Sequence, residues 1–582
     1  MLFDKIDRGF YMTQKQWKWI VRILLLGTVL AALKVIFFDY TMDEEYQIMM
    51  AYRNLEGDSL FREMWEPHQT SAFLCTWLMS VYKQVLGTYT GVLIYLRICT
   101  TFIQVGISYY LYRVLSLLFK KEYAFLCGLI YFNIVPKIIQ IPEFSNMQLW
   151  FFSLTVLPLI QYYWIKEENR RNKWYLLVLA GGSMALEVLS YPSCLILFPF
   201  FLVCIFTQSG KWKWRDILLF AGTCAGCAVL WMAAVLNHVS LEEFLRNLKY
   251  MLEFDLTHEL SGATTGKGAA IISNIAGGIG FMLLAALICL PVYIFYRKKS
   301  AEWNTHKGKV VFAVLIITSA EIIQLVLWGI LKKGYEVYHL HLLILLLASW
   351  FVWYLAGEEK KYLHAGIIGT FISVFAVIYL SDLEMYHALP HGLLGYIFSA
   401  LVLVSALQKV MKEDADRWIY FLLMGLCVVS IFAKGYTLRG GRNYNVVADT
   451  EGIMKYGPAA GILTDYMNAY IYNCNYEDFT AYVTEEDTVL IVANQVFSES
   501  TTPYMISGAE VAHYSIVDPT AYDERLLVYW ELYPEKEPDV IVVDCWYGQL
   551  QEDVDSWIMQ YIENEFGYTQ VSDGRYVRFY RK

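Results

Sequence analysis

Charge is scarce in this chain. Asp, Glu, Lys and Arg make up 17% of its 582 residues against 57% hydrophobic residues, and the apolar side chains come in long blocks rather than in amphipathic patterns. That excludes an ordinary soluble enzyme. A Walker sequence, a dinucleotide-binding glycine motif and any internal repeat are also missing, so a donor held in a cytosolic nucleotide fold is disfavoured. The 11 cysteines are scattered, mostly within apolar stretches, with Cys474 and Cys545 alone in the C-terminal part. Neither a metal cluster nor a disulfide framework is implied. The first apolar block, residues 17–38, lacks a small-residue cleavage pattern and is expected to stay as a signal anchor.

A bilayer core of about 30 Å needs roughly 20 apolar residues per helix. Thirteen such crossings are expected, at residues 17–38, 92–119, 123–141, 147–165, 174–190, 193–206, 217–236, 271–296, 310–331, 338–356, 362–380, 393–410 and 418–433. The pair split at Tyr191 and Pro192 is decided by charge. The basic segments at 166–173 and 211–215 both lie in the cytoplasm only if the chain crosses twice between them. The same bias places the N-terminus in the cytoplasm of a cell (plasma) membrane protein. The loops at 41–89 and 237–270 and the whole C-terminal part then face outward.

The C-terminal part changes character. From residue 435 on, 24 Asp and Glu face 9 Lys and Arg, enough to account for the chain's net charge of −9. TVLIVAN at 488–494 and DVIVVDC at 539–545 read as buried parallel strands, with a helix at 523–532 between them. The expected architecture is an α-helical polytopic membrane protein of about 13 crossings (1–434) followed by a soluble extracytoplasmic α/β domain (435–582). Acidity and outward placement argue against nucleic acid as a partner.

The first outward loop, 39–90, is the most informative stretch. Its residues 41–69 read TMDEEYQIMMAYRNLEGDSLFREMWEPHQ, and the loop is expected to form two helices along the membrane surface, at 44–55 and 70–86, the first ended by Gly57-Asp58. A carboxylate at the mouth of the first crossing, Asp43 or Glu44, can act as general base on an acceptor hydroxyl attacking an anomeric carbon whose leaving group is a phosphate. Thr41-Met42-Asp43-Glu44 equally fits a capping box, with Asp43, Glu44 and Glu45 suited to the positive end of a helix dipole.

The acidic pair after the first crossing, Tyr46 and Ala51 soon after it, the Gly57-Asp58 turn and Pro67 before the second interfacial helix together resemble the GT-C glycosyltransferases. The nearest branch is the one holding protein O-mannosyltransferases and the aminoarabinose transferases of lipid A (glycosyltransferase family 39-like). The resemblance implies Asp43 as catalytic base with Glu44 as its neighbouring acid. The Lys-Pro-Pro common at the loop's end in the aminoarabinose branch is here Trp65-Glu66-Pro67-His68.

Glu143, in IPEFSN at 141–146, matches a region where that family often places a second acid, to orient the acceptor or to bind a divalent cation with Asp43; a helix-terminal Glu beside Pro142 is the alternative. A lipid phosphate needs cations. Lys332, Lys333 and His339 break the base-poor pattern of the outward loops, and His68 stands where the missing lysine would be. Glu187, Glu321 and Gln324 lie inside expected crossings, either lining a groove or bonding between helices, and are left out of the site. The 237–270 loop, with Glu242, Glu243, Asp255, His258 and the glycine-rich SGATTGKG, reads as a mobile cover or a solvated loop.

The function expected is transfer of a sugar from a polyprenyl-phosphate donor to an acceptor on a cell-surface glycan, lipid or protein. No cofactor is called for beyond a possible divalent cation. The alternatives are a flippase for lipid-linked saccharides and a noncatalytic scaffold for surface glycan assembly.

Overall fold

The computed structural model describes residues 13–134, 139–253, 260–299, 306–331, 349–350, 352–380, 388–412, 415–436, 438, 447, 450–492, 509–513, 524–544, 562 and 567–582. Most of these are helical. Helix α1, Gln14–Phe37, starts at a capping box between Thr13 and Gln16, and its Leu24, Thr28, Ala31 and Val35 face other helices while Ile23, Leu26, Leu30 and Leu33 are exposed. An apolar exposed stripe is what lipid contact requires. Among the described residues, seven helices are long and apolar enough to cross a membrane, and Tyr175–Ser190, Pro192–Gln208 and Gly308–Ile317 are shorter apolar helices. The chain is a multi-pass membrane protein. Most of the crossing expected at 338–356 lies outside the described residues.

The first loop forms the two expected helices, α2 (Met42–Glu56) and α3 (Phe73–Leu86), the latter entered through a 3-10 turn at Gln69–Ala72. Thr41 and Glu44 make the capping box, and Gly57 closes α2 at φ 117°, a left-handed conformation that only glycine adopts without strain. The bundle continues through α4 (Val92–Leu115), α5 (Lys121–Asn133), α6 (Phe144–Trp164), α7 (Tyr175–Ser190), α8 (Leu197–Gln208) and α9 (Lys213–Leu236). A Cβ on Gly181 would lie 2.6 Å from the Phe220 carbonyl oxygen, so glycine is what lets α7 and α9 approach.

After α10 (Leu241–Glu253) comes α11, Leu260–Lys299, and here the sequence expectation needs correction. SGATTGKG belongs to this helix rather than to a cover loop. It contains no proline to interrupt the helix, which runs on into the apolar stretch that follows. Cys224 and Cys227, at Cys-x-x-Cys spacing, lie within α9, both partly buried and both free thiols. Helices α12 (His306–Leu331), α13 (Lys360–Leu380), α14 (Leu393–Met411) and α15 (Ala415–Tyr436) follow among the described residues.

The C-terminal part is α/β, as expected. Strands β1 (Gly452–Ile453) and β2 (Leu463–Thr464) pair antiparallel and lead into α16 (Tyr466–Tyr482). A five-stranded sheet follows from β3 (Thr488–Val492), β4 (Glu510–Val511), β5 (Val540–Asp544), β6 (Thr569–Asp573) and β7 (Val577–Arg581), ordered β4-β3-β5-β7-β6. The two runs read as parallel strands are the parallel neighbours β3 and β5, and α17 (Glu524–Leu532) lies between them in sequence. Both sheet faces are buried. Val489, Ile491, Val540 and Val542 pack into a core shared with Ile48, Met49, Tyr52, Leu78, Leu93 and Leu96 of α2, α3 and α4. The alternate residues Leu490, Val492, Ile541 and Val543 pack with Tyr529, Trp530 and, from the first loop, Trp65. Period-two alternation between two apolar surroundings explains the unbroken β-branched runs.

Candidate active site

Asp43, Glu44 and Glu45 occupy the first turn of α2 and all three are buried. Successive helical residues point about 100° apart, so neighbours meet different surroundings. Glu44 turns toward α4. Arg97 Nε donates to its Oε1 at 2.9 Å and Nη2 to its Oε2 at 2.6 Å, while the Thr41 amide donates to Oε2 at 3.3 Å. The same guanidinium donates to the carbonyls of Val35, Ile36, Phe38 and Asp39 at 2.7–3.2 Å. Those are the unsatisfied carbonyls at the end of α1 and the residues just past it. Arg97 therefore welds the mouth of the first crossing to α2, and Glu44 is the carboxylate that keeps this guanidinium neutralised.

Asp43 lies on a different face, the one it shares at helical spacing with Tyr46, Gln47 and Met50. It is 8% exposed and so is not turned to bulk solvent. Gln47 exchanges hydrogen bonds with Ser71, through its amide to the Ser71 carbonyl and from the Ser71 hydroxyl to its Oε1, each at 3.2 Å. Tyr46 meets Phe144 edge-on at 6.5 Å, and His68 stacks on Phe144 at 4.1 Å with the rings nearly parallel. Tyr191 closes this wall, 5.2 Å from His68 and 5.8 Å from Phe144. The structure thus brings His68 and the start of α6 together beside the Asp43 face of α2.

Glu143 caps α6. Its carboxylate accepts from the Ser145 amide at 2.9 Å and the Asn146 amide at 3.0 Å, one on each oxygen. Those are two of the four amides a helix start leaves open. Both carboxylate oxygens of Glu143 are thus engaged by the start of α6. Lys332, Lys333 and His339 lie outside the described residues.

The rest of the first loop is held from two sides. Arg53, wholly buried, donates through Nε to Asp58 at 2.7 Å and through Nη2 to the Glu63 carbonyl at 2.9 Å, with Glu66 Oε1 3.5 Å from Nη1. Burial pulls the Arg53 pKa down, but Asp58, Tyr529 and Glu66 outweigh it, so the net shift is upward and the group stays charged. From the C-terminal part, Lys536 Nζ reaches Asp58 at 2.6 Å, Tyr529 donates its hydroxyl to the Glu63 carbonyl at 2.8 Å, and Tyr52 donates to the Ala509 carbonyl at 2.8 Å. From the second loop, Asn247 of α10 donates to the Phe61 carbonyl at 2.7 Å, Tyr250 stacks on Trp65 at 5.4 Å, and Phe244 packs on Phe61.

No family model and no curated protein matches the chain. Solved structures similar to it over nearly the whole length include two of one protein. ArnT from Cupriavidus metallidurans in the apo state aligns at 12% identity over 97% of this chain and 98% of its own, with a TM-score of 0.43. The same protein bound to undecaprenyl phosphate aligns at 12% identity over 98% of both chains, with a TM-score of 0.41.

Sequence reading passed over Arg97, Arg53, Tyr191 and His391. Arg97 had a usable signal, an arginine inside the first two turns of a long apolar stretch, which costs enough in lipid to demand a partner. Arg53 had none, because its surroundings come from the loop's own turns and from side chains more than four hundred residues away.

Proposed function

We propose that this chain is an integral membrane glycosyltransferase that moves a sugar from a polyprenyl-phosphate carrier to an acceptor hydroxyl on the outer face of the plasma membrane. The observation that supports it is the split between two adjacent acids: Glu44 is committed to Arg97, while Asp43 sits buried on another face of α2, the one that carries Tyr46 toward an aromatic wall. In this reading Asp43 takes the proton of the acceptor hydroxyl as its oxygen attacks the anomeric carbon. The bond from that carbon to the phosphate oxygen breaks, and the electron pair leaves with the lipid phosphate. A phosphate needs little protonation to depart, so one acid suffices. Glu44 and Glu143 then act by holding α2 and the start of α6 in place. Lys332, Lys333 and His339, with His68, are the proposed ligands of the phosphate.

Purified Asp43→Asn protein tests this. Transfer is expected to fall by roughly 10²–10⁴-fold, the usual worth of a general base, with the melting temperature unchanged. Turnover near that of the wild type would remove Asp43 from the mechanism.

A further inference from the structure

One turn short of the end of α7, Glu187 is fully buried where α6, α7, α13 and the start of α14 meet. Its Oε1 receives a long hydrogen bond, 3.4 Å from Gln148 Nε2, and its Oε2 has no hydrogen-bond partner among the described residues. The Cys194 thiol lies beside it, but a thiol is a weak donor. Gln148 is the hub of the cluster. Its Nε2 also donates to Ser373 Oγ at 2.8 Å, and its Oε1 faces His391 Nδ1 at 3.2 Å. An acid at this depth with an open oxygen is expensive unless a cavity, a partner or a substrate answers it.

The cluster adjoins the site already described. The His391 ring meets Tyr191 edge-on at 5.7 Å, and Tyr191 belongs to the wall that runs through His68 and Phe144 to Tyr46, one helical turn from Asp43. An aromatic wall next to a buried polar floor matches the two kinds of surface on a pyranose ring. Its C–H face stacks on aromatic rings, and its hydroxyls, once removed from water, each need an acceptor or donor.

We infer that Glu187, with Gln148 and His391 beside it, forms the hydroxyl-reading floor of the sugar subsite, where Glu187 Oε2 accepts a hydrogen bond from one ring hydroxyl of the transferred sugar. This rests on the glycosyl-transfer reading and adds to it a residue that determines donor specificity. Glu187 takes no part in the proton transfer. It selects the sugar by leaving a costly unpaired oxygen when the matching hydroxyl is missing.

The test uses full-length purified protein and a set of polyprenyl-phosphate hexoses, each with its singly deoxygenated analogues. The wild type is expected to lose about 10–100-fold in kcat/KM for one deoxy position, the worth of one buried hydrogen bond. Glu187→Met, which removes an intramembrane acid without opening a large void, should bring that ratio close to one while the other deoxy positions keep theirs. Glu187→Gln retains one acceptor oxygen but puts an amide donor in place of the other and should shrink the ratio several-fold; it decides the matter if the Met variant does not fold. Wild-type indifference to every deoxy position, or an unchanged pattern in the variants, overturns the inference. A purely structural Glu187 would lower activity on all donors alike and leave the pattern intact. Failure of the wild type to consume any donor sinks the transfer reading itself, and this subsite with it.

Discussion

Asp43 and Glu44 are adjacent in the chain, carry the same charge and are both buried, yet the fold gives them opposite surroundings. Glu44 meets a guanidinium that is already binding four backbone carbonyls at the end of α1. Asp43, a third of a turn away, belongs to the face that carries Tyr46 and Gln47 to Phe144 and Ser71. A helix start can thus serve as anchor and as chemical site at once, because its periodicity separates consecutive side chains into different neighbourhoods. Proximity in sequence says little about shared role.

The anchor is where the comparison predicts the largest change in stability. Arg97→Met leaves Glu44 as an uncompensated buried charge and releases the α1 carbonyls, which should cost about 3–5 kcal/mol in unfolding free energy. Chemical denaturation in detergent reads it, and a loss below the error of that measurement would mean that the guanidinium holds nothing together. Lys536→Met breaks the ion pair by which the C-terminal domain grips Asp58. It should cost about 1–3 kcal/mol and loosen the 57–69 loop, seen as faster amide exchange there with the bundle unaffected. Glu143→Ala removes a helix cap from α6 and should cost about 0.5–2 kcal/mol, recovered in good part by Glu143→Asp. Asp43→Asn should move the melting temperature least of all. If it destabilises as much as Arg97→Met, Asp43 is another anchor and the contrast between the two acids collapses.

Local signals told much of this fold in advance. The capping box at Thr41, the left-handed stop at Gly57 and the two helices of the first loop are encoded within a turn or two of sequence. The β3 and β5 runs announced buried strands because β3 and the first four residues of β5 are all apolar or β-branched. What covers those faces was not legible. One core is completed by α2, α3 and α4, and the other by Trp65 and α17, so the C-terminal domain and the first loop fold against each other. Side chains that meet across hundreds of residues, such as Tyr52 with Ala509 or Lys536 with Asp58, leave no periodic trace. The capping reading of Glu143 was available from its place before α6, and the structure gives that geometry. The unsatisfied oxygen of Glu187 was beyond reach, since satisfaction is a property of surroundings and not of spacing.

The most direct measurement is incubation of the purified wild-type protein in detergent with a panel of polyprenyl-phosphate sugars and acceptor glycans, following release of the lipid phosphate. The account predicts that one donor is consumed, with lipid phosphate appearing in step with a new glycosidic product. Movement of labelled carrier across proteoliposomes with no such product, or no consumption of any donor, would contradict it.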